Sequence, residues 1–390
     1  MHRGSPLLQR RVAKIFKESN FIVTEGRRLF EELFNNVDFG FTARLLAILG
    51  CTGAGVFALV RGLESRQDSV PYAQRWYLWD PRVPIEFIER RHAEGDDDSV
   101  EIWKFRLPNS YDKLGYSPVS AVQLKHVTTW NSTTTRWYNP VSHPDTPGFV
   151  EFAIKRQASG FFFKKLDALN PGDVIYMGRW MKEFQFQPNT YGEVGIVFTP
   201  GAISVALQLM NFCIHQRQRA THAVFANHSQ AQLVDHTKLR LLYCAPSWSR
   251  APFKKTFFDA AEAYPDMIQT HMMLSRSSMT EIDPALRPSI LVGLISAADI
   301  RKAMPPPLLK REESNDGAVI MRTYRPALLI AGPNALYLPL CGKSIQWWSR
   351  RYLQGLPWQY SGILREEGYK KSQVYRFGAD FHWARNPAME

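Results

Sequence analysis

Cysteine and histidine spacing most often announces metal or nucleophilic chemistry, and here it is wrong for both. The four cysteines, Cys51, Cys213, Cys244 and Cys341, form no Cys-x-x-Cys pair. That argues against a disulfide framework and against a structural zinc site. The ten histidines include no His-Glu-x-x-His, so no metal is expected. The net charge of +12 favours nucleic acid, acidic proteins or anionic lipid. No Lys/Arg run exceeds two residues, so the plainer reading is a basic protein from a compartment rich in them.

The 390 residues suffice for two domains plus extensions. A composition 45% hydrophobic and 13% aromatic excludes global disorder. From about Val83, short alternating runs are separated by turns: Pro84–Ile88, Val100–Phe105, Val119–Leu124, Phe149–Ile154 and Asp173–Met177. Regular short strands without long helices imply a small antiparallel barrel. From Val194, strands and helices alternate: strand Gly195–Phe198, helix Ile203–Cys213, strand Leu239–Tyr243, helix Ala251–Ala263 and strand Met267–Leu274, with later strands at Arg325–Ile330 and Val374–Phe377. That pattern implies a parallel α/β sheet, with ligands at the carboxyl ends of its strands.

Ahead of these lies a different kind of sequence. Residues 1–40 carry Arg3, Arg10, Arg11, Lys14 and Lys17 among apolar residues, with no acid before Lys17. This fits a mitochondrial targeting segment or a basic amphipathic helix on a membrane or partner. Residues 41–62 contain the uncharged run Leu45–Val60, whose sixteen residues would rise about 24 Å as a helix. With Phe41–Ala43 added and Arg44 and Arg61 snorkelling, a transmembrane helix is expected; a buried helix is the alternative. Gly50, Gly53 and Gly55 within it suit packing against other membrane helices. Residues 63–82 then read as a linker, 83–190 as the barrel and 191–390 as the α/β domain with an aromatic C-terminal extension. Trp347, Trp348, Trp358 and Trp383 suit either a partner interface or satellite packing.

The order of segments from Val83 to Phe377 resembles membrane-anchored NADH-cytochrome b5 reductases of the ferredoxin-NADP reductase-like superfamily. Leu107-Pro108, Leu114-Gly115 and Pro118-Val119 look like the family's opening strands. Arg136-Trp-Tyr138-Asn139-Pro140-Val141 looks like its flavin motif Arg-x-Tyr-Ser/Thr-Pro, and Ala331-Gly332-Pro333 looks like its Cys-Gly-Pro motif. The resemblance implies an α+β two-domain protein with an FAD-type barrel followed by a nicotinamide-type domain. It also implies FAD contacts from Arg136, Tyr138, Asn139, Pro140, Val141, Lys155 and Gly160, and NADH contacts from Thr199, Gly201, Gly332 and Pro333. Four departures stand out. Asn139 replaces the small hydroxyl beside the ring. Phe163, last of the triplet Phe161–Phe163, replaces the serine of the phosphate turn, and bulky aromatics suit a protein contact or a plugged pocket better than a pyrophosphate. Thr199-Pro200-Gly201 keeps one glycine of Gly-Gly-Thr-Gly-Ile-Thr-Pro, next to Phe198. Ala331 replaces the cysteine near the nicotinamide.

These departures set the functional expectations. The first is a degenerate reductase-like accessory subunit of a mitochondrial inner-membrane complex, respiratory in kind, without catalysis or NADH binding, and with FAD left open. The second is a working FAD enzyme passing electrons from NADH to a haem protein or quinone; an intermediate form keeps FAD without NADH. The third, a nucleic-acid or ribosome-associated module, follows from charge and aromatics but lacks a binding motif.

Overall fold

The computed structural model describes residues 69–377 except 76, 78–79, 94–98, 128–132, 157–159, 183, 185, 187–189, 226–236, 277–281, 316–317, 325 and 343–359. The basic segment, the uncharged run Leu45–Val60 and all four tryptophans named above lie outside these residues. Among the described residues, no helix is long and apolar enough to cross a membrane.

Six strands build an antiparallel, barrel-like sheet: β1 Val83–His92, β2 Val100–Arg106, β3 Ser120–Val127, β4 Thr133–Tyr138, β5 Phe149–Lys155 and β6 Val174–Lys182, in the order β4-β3-β6-β1-β2-β5. Alternating residues such as Ile85, Phe87, Trp103, Phe105, Val150 and Phe152 are buried in one cluster, as a sheet with one inward face requires. Helix α1, Phe161–Asp167, contributes Phe162, Phe163 and Leu166 to the same core. Lys125 is fully buried, and its Nζ meets Asp80 at 2.5 Å and the Pro81 carbonyl at 3.0 Å. The slot for that side chain exists because residue 178 is glycine; a Cβ there would lie 2.2 Å from Lys125 Cε. The segment before β1 also packs here, with Tyr72 in the core and its hydroxyl donating to Asp112 at 2.6 Å.

The second sheet comprises β7 Glu193–Phe198, β8 Lys238–Ala245, β9 Ile268–Leu274, β10 Ile290–Val292, β13 Ala327–Ala331 and β14 Val374–Phe377, in the order β10-β9-β8-β7-β13-β14. Every neighbouring pair is parallel. Helices α2 Ile203–Phe225 and α3 Lys254–Ala263 cover one face, burying Ile196, Leu241 and Phe257. Helices α4 Ala297–Ala303, α5 Asn334–Cys341 and α6 Ile363–Glu366 cover the other, burying Val197, Leu242 and Ile330. Strands β11 Leu309–Asn315 and β12 Ala318–Tyr324 form a separate hairpin. From β7 the chain winds one way to β10, then returns to place β13 on the other side of β7. Such a reversal leaves a crevice at the carboxyl ends of the two central strands.

Candidate functional site

The turns leaving β7 and β13 meet at that crevice. Thr199 follows β7 in extended conformation, its N–H donating to the Ala331 carbonyl at 3.2 Å, and its carbonyl accepts from Ala202 N–H at 2.9 Å. Gly332 lies so close to this turn that a Cβ there would be 3.0 Å from Leu336 Cδ2 and 3.1 Å from Thr199 Cγ2. Only a residue without a side chain lets the two turns touch this way. Gly201 is different: a Cβ there would meet Lys155 Cδ alone, at 3.7 Å, so its backbone opens to a cavity. The 3-10 turn Pro200–Ala202, which leads into helix α2, has no side-chain cap, and neither it nor α2 has an acid in its first turn. Amides at a helix start can point outward to an anion, although that of Ala202 is already given to Thr199. Pro200, at the first turn, supplies none.

The cavity is a cleft of about 1010 Å³ between the barrel and the α/β sheet. Asn139 and Lys155 reach it from the barrel; Thr199, Gly201, Gly332 and Pro333 line it from the sheet. Among the described residues, Lys155 is the one charged residue that lines it, and the rest of the wall is largely apolar, including Val205, Met273, Leu294, Leu336 and Phe377. A cation beside a bare helix start, against an apolar wall, suits a ligand carrying an anionic group on a flat or apolar body.

Of the eleven residues expected to bind cofactors, six therefore come together in the cleft. Five do not line it. Arg136 is exposed on β4, opposite Leu124 of β3, and makes no hydrogen bond or ion pair to a described residue. Tyr138 is half-buried, with its ring centroid 6.1 Å from Phe162 and 6.3 Å from Phe152; burial pushes its phenol up to about 12. Pro140 is buried and bridged to Phe152, and Val141 N–H donates to the Glu151 carbonyl at 2.8 Å. Gly160 caps α1, accepting from Lys164 N–H at 2.9 Å. The aromatic triplet does not form one surface: Phe161 is 62% exposed, whereas Phe162 and Phe163 are core. Phe198 is not in the turn either; it is fully buried, stacked on Tyr243 at 4.8 Å. Residues that sequence reasoning missed are Cys244, Pro246, Met273, Ser275 and Leu294, at or just past the ends of β8, β9 and β10. The expected strand ends at Tyr243 and Leu274 were the signal for four of them.

The barrel residues fit FAD at its charged end. Arg136 has an uncommitted fork of donors, and Asn139 and Lys155 stand at the cleft. Arg136 would hold the pyrophosphate and Tyr138 would support the ring. The fit to NADH is poorer, since Pro200 takes an amide out of the phosphate turn.

Residues 93–181 match the oxidoreductase FAD-binding domain family. The chain is 25% identical to NADH-cytochrome b5 reductase 2-B of Vanderwaltozyma polyspora over 272 residues, covering 70% of this chain and 76% of that one. It is 23% identical to the NADH-cytochrome b5 reductase-like protein of Arabidopsis thaliana over 242 residues, covering 62% and 60%. Among solved structures, it shares the fold of the cytochrome b5 reductase domain of Ulva prolifera nitrate reductase, with TM-score 0.52, 15% identity and coverage of 76% and 97%. The order of two sheets, the motif strand β4 and these likenesses together show that the chain resembles the cytochrome b5 reductases and shares their two-domain fold.

Proposed function

We propose that this protein is a reductase-fold accessory subunit of a mitochondrial inner-membrane complex, respiratory in kind, that does not take hydride from NADH. The observation that carries this reading is Pro200. It faces the cleft at the start of α2, in the turn where the resembled family places glycines, and it denies the phosphate a backbone donor. Ala331, fully buried at the end of β13, agrees with it: the thiol that the family carries near the nicotinamide is missing. The basic N-terminal segment and the run Leu45–Val60 support the mitochondrial and membrane assignment. Exposed Phe161 and Trp137, the latter 38% accessible on β4, leave aromatic surface for neighbouring subunits.

FAD is compatible with this reading, held by Arg136, Tyr138, Asn139 and Lys155. Bound FAD would supply a two-electron acceptor able to pass electrons on singly. The chain's own part is to anchor the pyrophosphate and to shield one face of the ring.

A second reading, an active FAD-dependent NADH reductase serving a haem protein or quinone, is favoured by the openness of the cleft and by Lys155 beside the bare start of α2. The full chain, purified natively, separates the two. FAD is released by denaturation and measured by fluorescence against protein; NADH is then added to an undenatured sample and the flavin absorbance followed. Unchanged absorbance, with or without FAD, supports the accessory reading. Bleaching of near-stoichiometric FAD by NADH establishes the second and sinks the first.

A further inference from the structure

One face of α2, from Gln208 to Arg219, packs on the barrel side of the molecule. Gln208, Phe212, His215 and Arg219 are spaced i, i+4, i+7 and i+11, a single helical stripe. Gln208, 3% exposed, donates through Nε2 to the Ser120 carbonyl at 3.0 Å and accepts from Ser120 N–H at 3.0 Å. The same carbonyl accepts from Asn139 Nδ2 at 3.0 Å, so the cleft-lining asparagine is tied into this junction. Phe212 packs edge-on to Phe186, of the connector between the sheets, at 5.8 Å. His215 lies against His143, from the loop after β4, with ring centroids 3.8 Å apart and planes at 37°. Arg219 closes the stripe with a 2.6 Å ion pair to Asp145 of the same loop.

We propose that this stripe is an acid-labile lock between the two domains, closed by the neutral His143–His215 pair and released when an imidazole takes a proton. The geometry leaves no comfortable place for that proton. His143 Nδ1 accepts from Asp145 N–H at 3.2 Å, and protonation there turns the acceptor into a donor and breaks the bond. Among the described residues, His215 Nδ1 is buried without a hydrogen-bond partner. The charged groups facing the pair are Arg219 from α2 and Asp145 from the barrel loop, and Asp145 is engaged by Arg219. A second proton would set two cations side by side. Burial, chiefly, holds both imidazoles below their usual 6.5; His215 and Arg219 add to the effect at His143, Arg219 adds to it at His215, and Asp145 opposes it at both.

The sign follows. Below 6.5 the separated domains bind more protons than the closed ones, so the lock weakens as pH falls through that value and is complete above it. Because Asn139 and Lys155 reach the cleft from the barrel, and the remaining wall comes from the α/β domain, release of α2 also opens the cleft. The inference holds whether or not FAD is bound.

Hydrogen–deuterium exchange on the full chain tests it. Exchange is followed in peptides spanning 139–148 and 208–219, corrected for intrinsic rate, with β9 as internal control. Between about pH 7.5 and about pH 5.5, the span over which an unperturbed imidazole gains its charge, both peptides are expected to exchange several-fold faster while β9 is unchanged. His143→Gln/His215→Gln is expected to abolish the acid response. If that variant does not fold, each single replacement is expected to blunt it. No acid response in the parent, or an undiminished response in the variants, overturns the lock.

Discussion

Phe163→Ser would restore, on paper, the hydroxyl that the reductase family carries at the start of the short helix. The packing argues against a repair. Phe163 is 7% exposed and belongs to the barrel core together with Trp103, Phe105 and Phe152. Truncating a buried phenylalanine costs about 3–5 kcal/mol, the spread reflecting how far the cavity collapses. The new hydroxyl sits in the first turn of α1, where a serine can bond backward to the chain, so its own desolvation adds little. A net loss of about 4 kcal/mol corresponds to about 8–16 °C in melting temperature, at about 2–4 °C per kcal/mol for a unit of this size. The assay is thermal unfolding by intrinsic fluorescence, with FAD per chain measured on the same preparations. The expected outcome is a large downward shift without any gain of FAD. A variant melting within about 2 °C of the parent, as surface replacements do, and retaining more FAD would refute the reasoning. It would mean that Phe163 occupies the flavin site and that the core is closed without it.

Three other outcomes are expected. Arg136→Ala should lower or abolish FAD content, read from released fluorescence. It should change stability by no more than about 0.5 kcal/mol, because Arg136 is exposed and contributes no contact to the core. Gly178→Ala should destabilise the barrel by about 1–3 kcal/mol, because a Cβ 2.2 Å from Lys125 Cε overfills the slot and pushes the buried end of that side chain away from Asp80 and Pro81; a thermal melt matching the parent would show that the lysine can be rehoused. Cys244, though it lines the cleft, should alkylate slowly at neutral pH, since burial pushes its thiol up to about 12; peptide mass spectrometry after iodoacetamide would expose the opposite behaviour.

Much of the fold was legible because each sheet shows its own period. Val150, Phe152 and Ile154 alternate toward the barrel core, and a strand with one wet face must read that way. Where alternation fails, so did the reading. Strand β1 runs on to His92, past the expected Ile88, through Glu89-Arg90-Arg91, which pair with β2 after a bulge. Those charges carry no apolar period. The hairpin β11–β12 escaped notice because Lys310-Arg311-Glu312-Glu313 reads as loop. Helix α3 starts at Lys254 rather than Ala251, since Pro252 disfavours a helical neighbour and Phe253 adopts φ 59°, left-handed backbone outside the helix.

The site was legible in part for a related reason. A motif marks positions along the chain, but which way a side chain faces is decided by packing. Lys155 and Asn139 end up in the cleft because each lies at the end of a strand that abuts the second sheet. Arg136, three residues before Asn139, is an outward residue of an edge strand. Phe198 shows the same rule in reverse. At the turn it would crowd any phosphate, yet it occupies the last buried position of β7 and faces Tyr243 and Phe257. Its presence therefore says nothing against a nucleotide, and the weight shifts to Pro200, whose missing N–H no packing can restore. The case against hydride transfer thus rests on fewer residues than the motif comparison implied. Of those that remain, Pro200 acts on the backbone of the cleft itself.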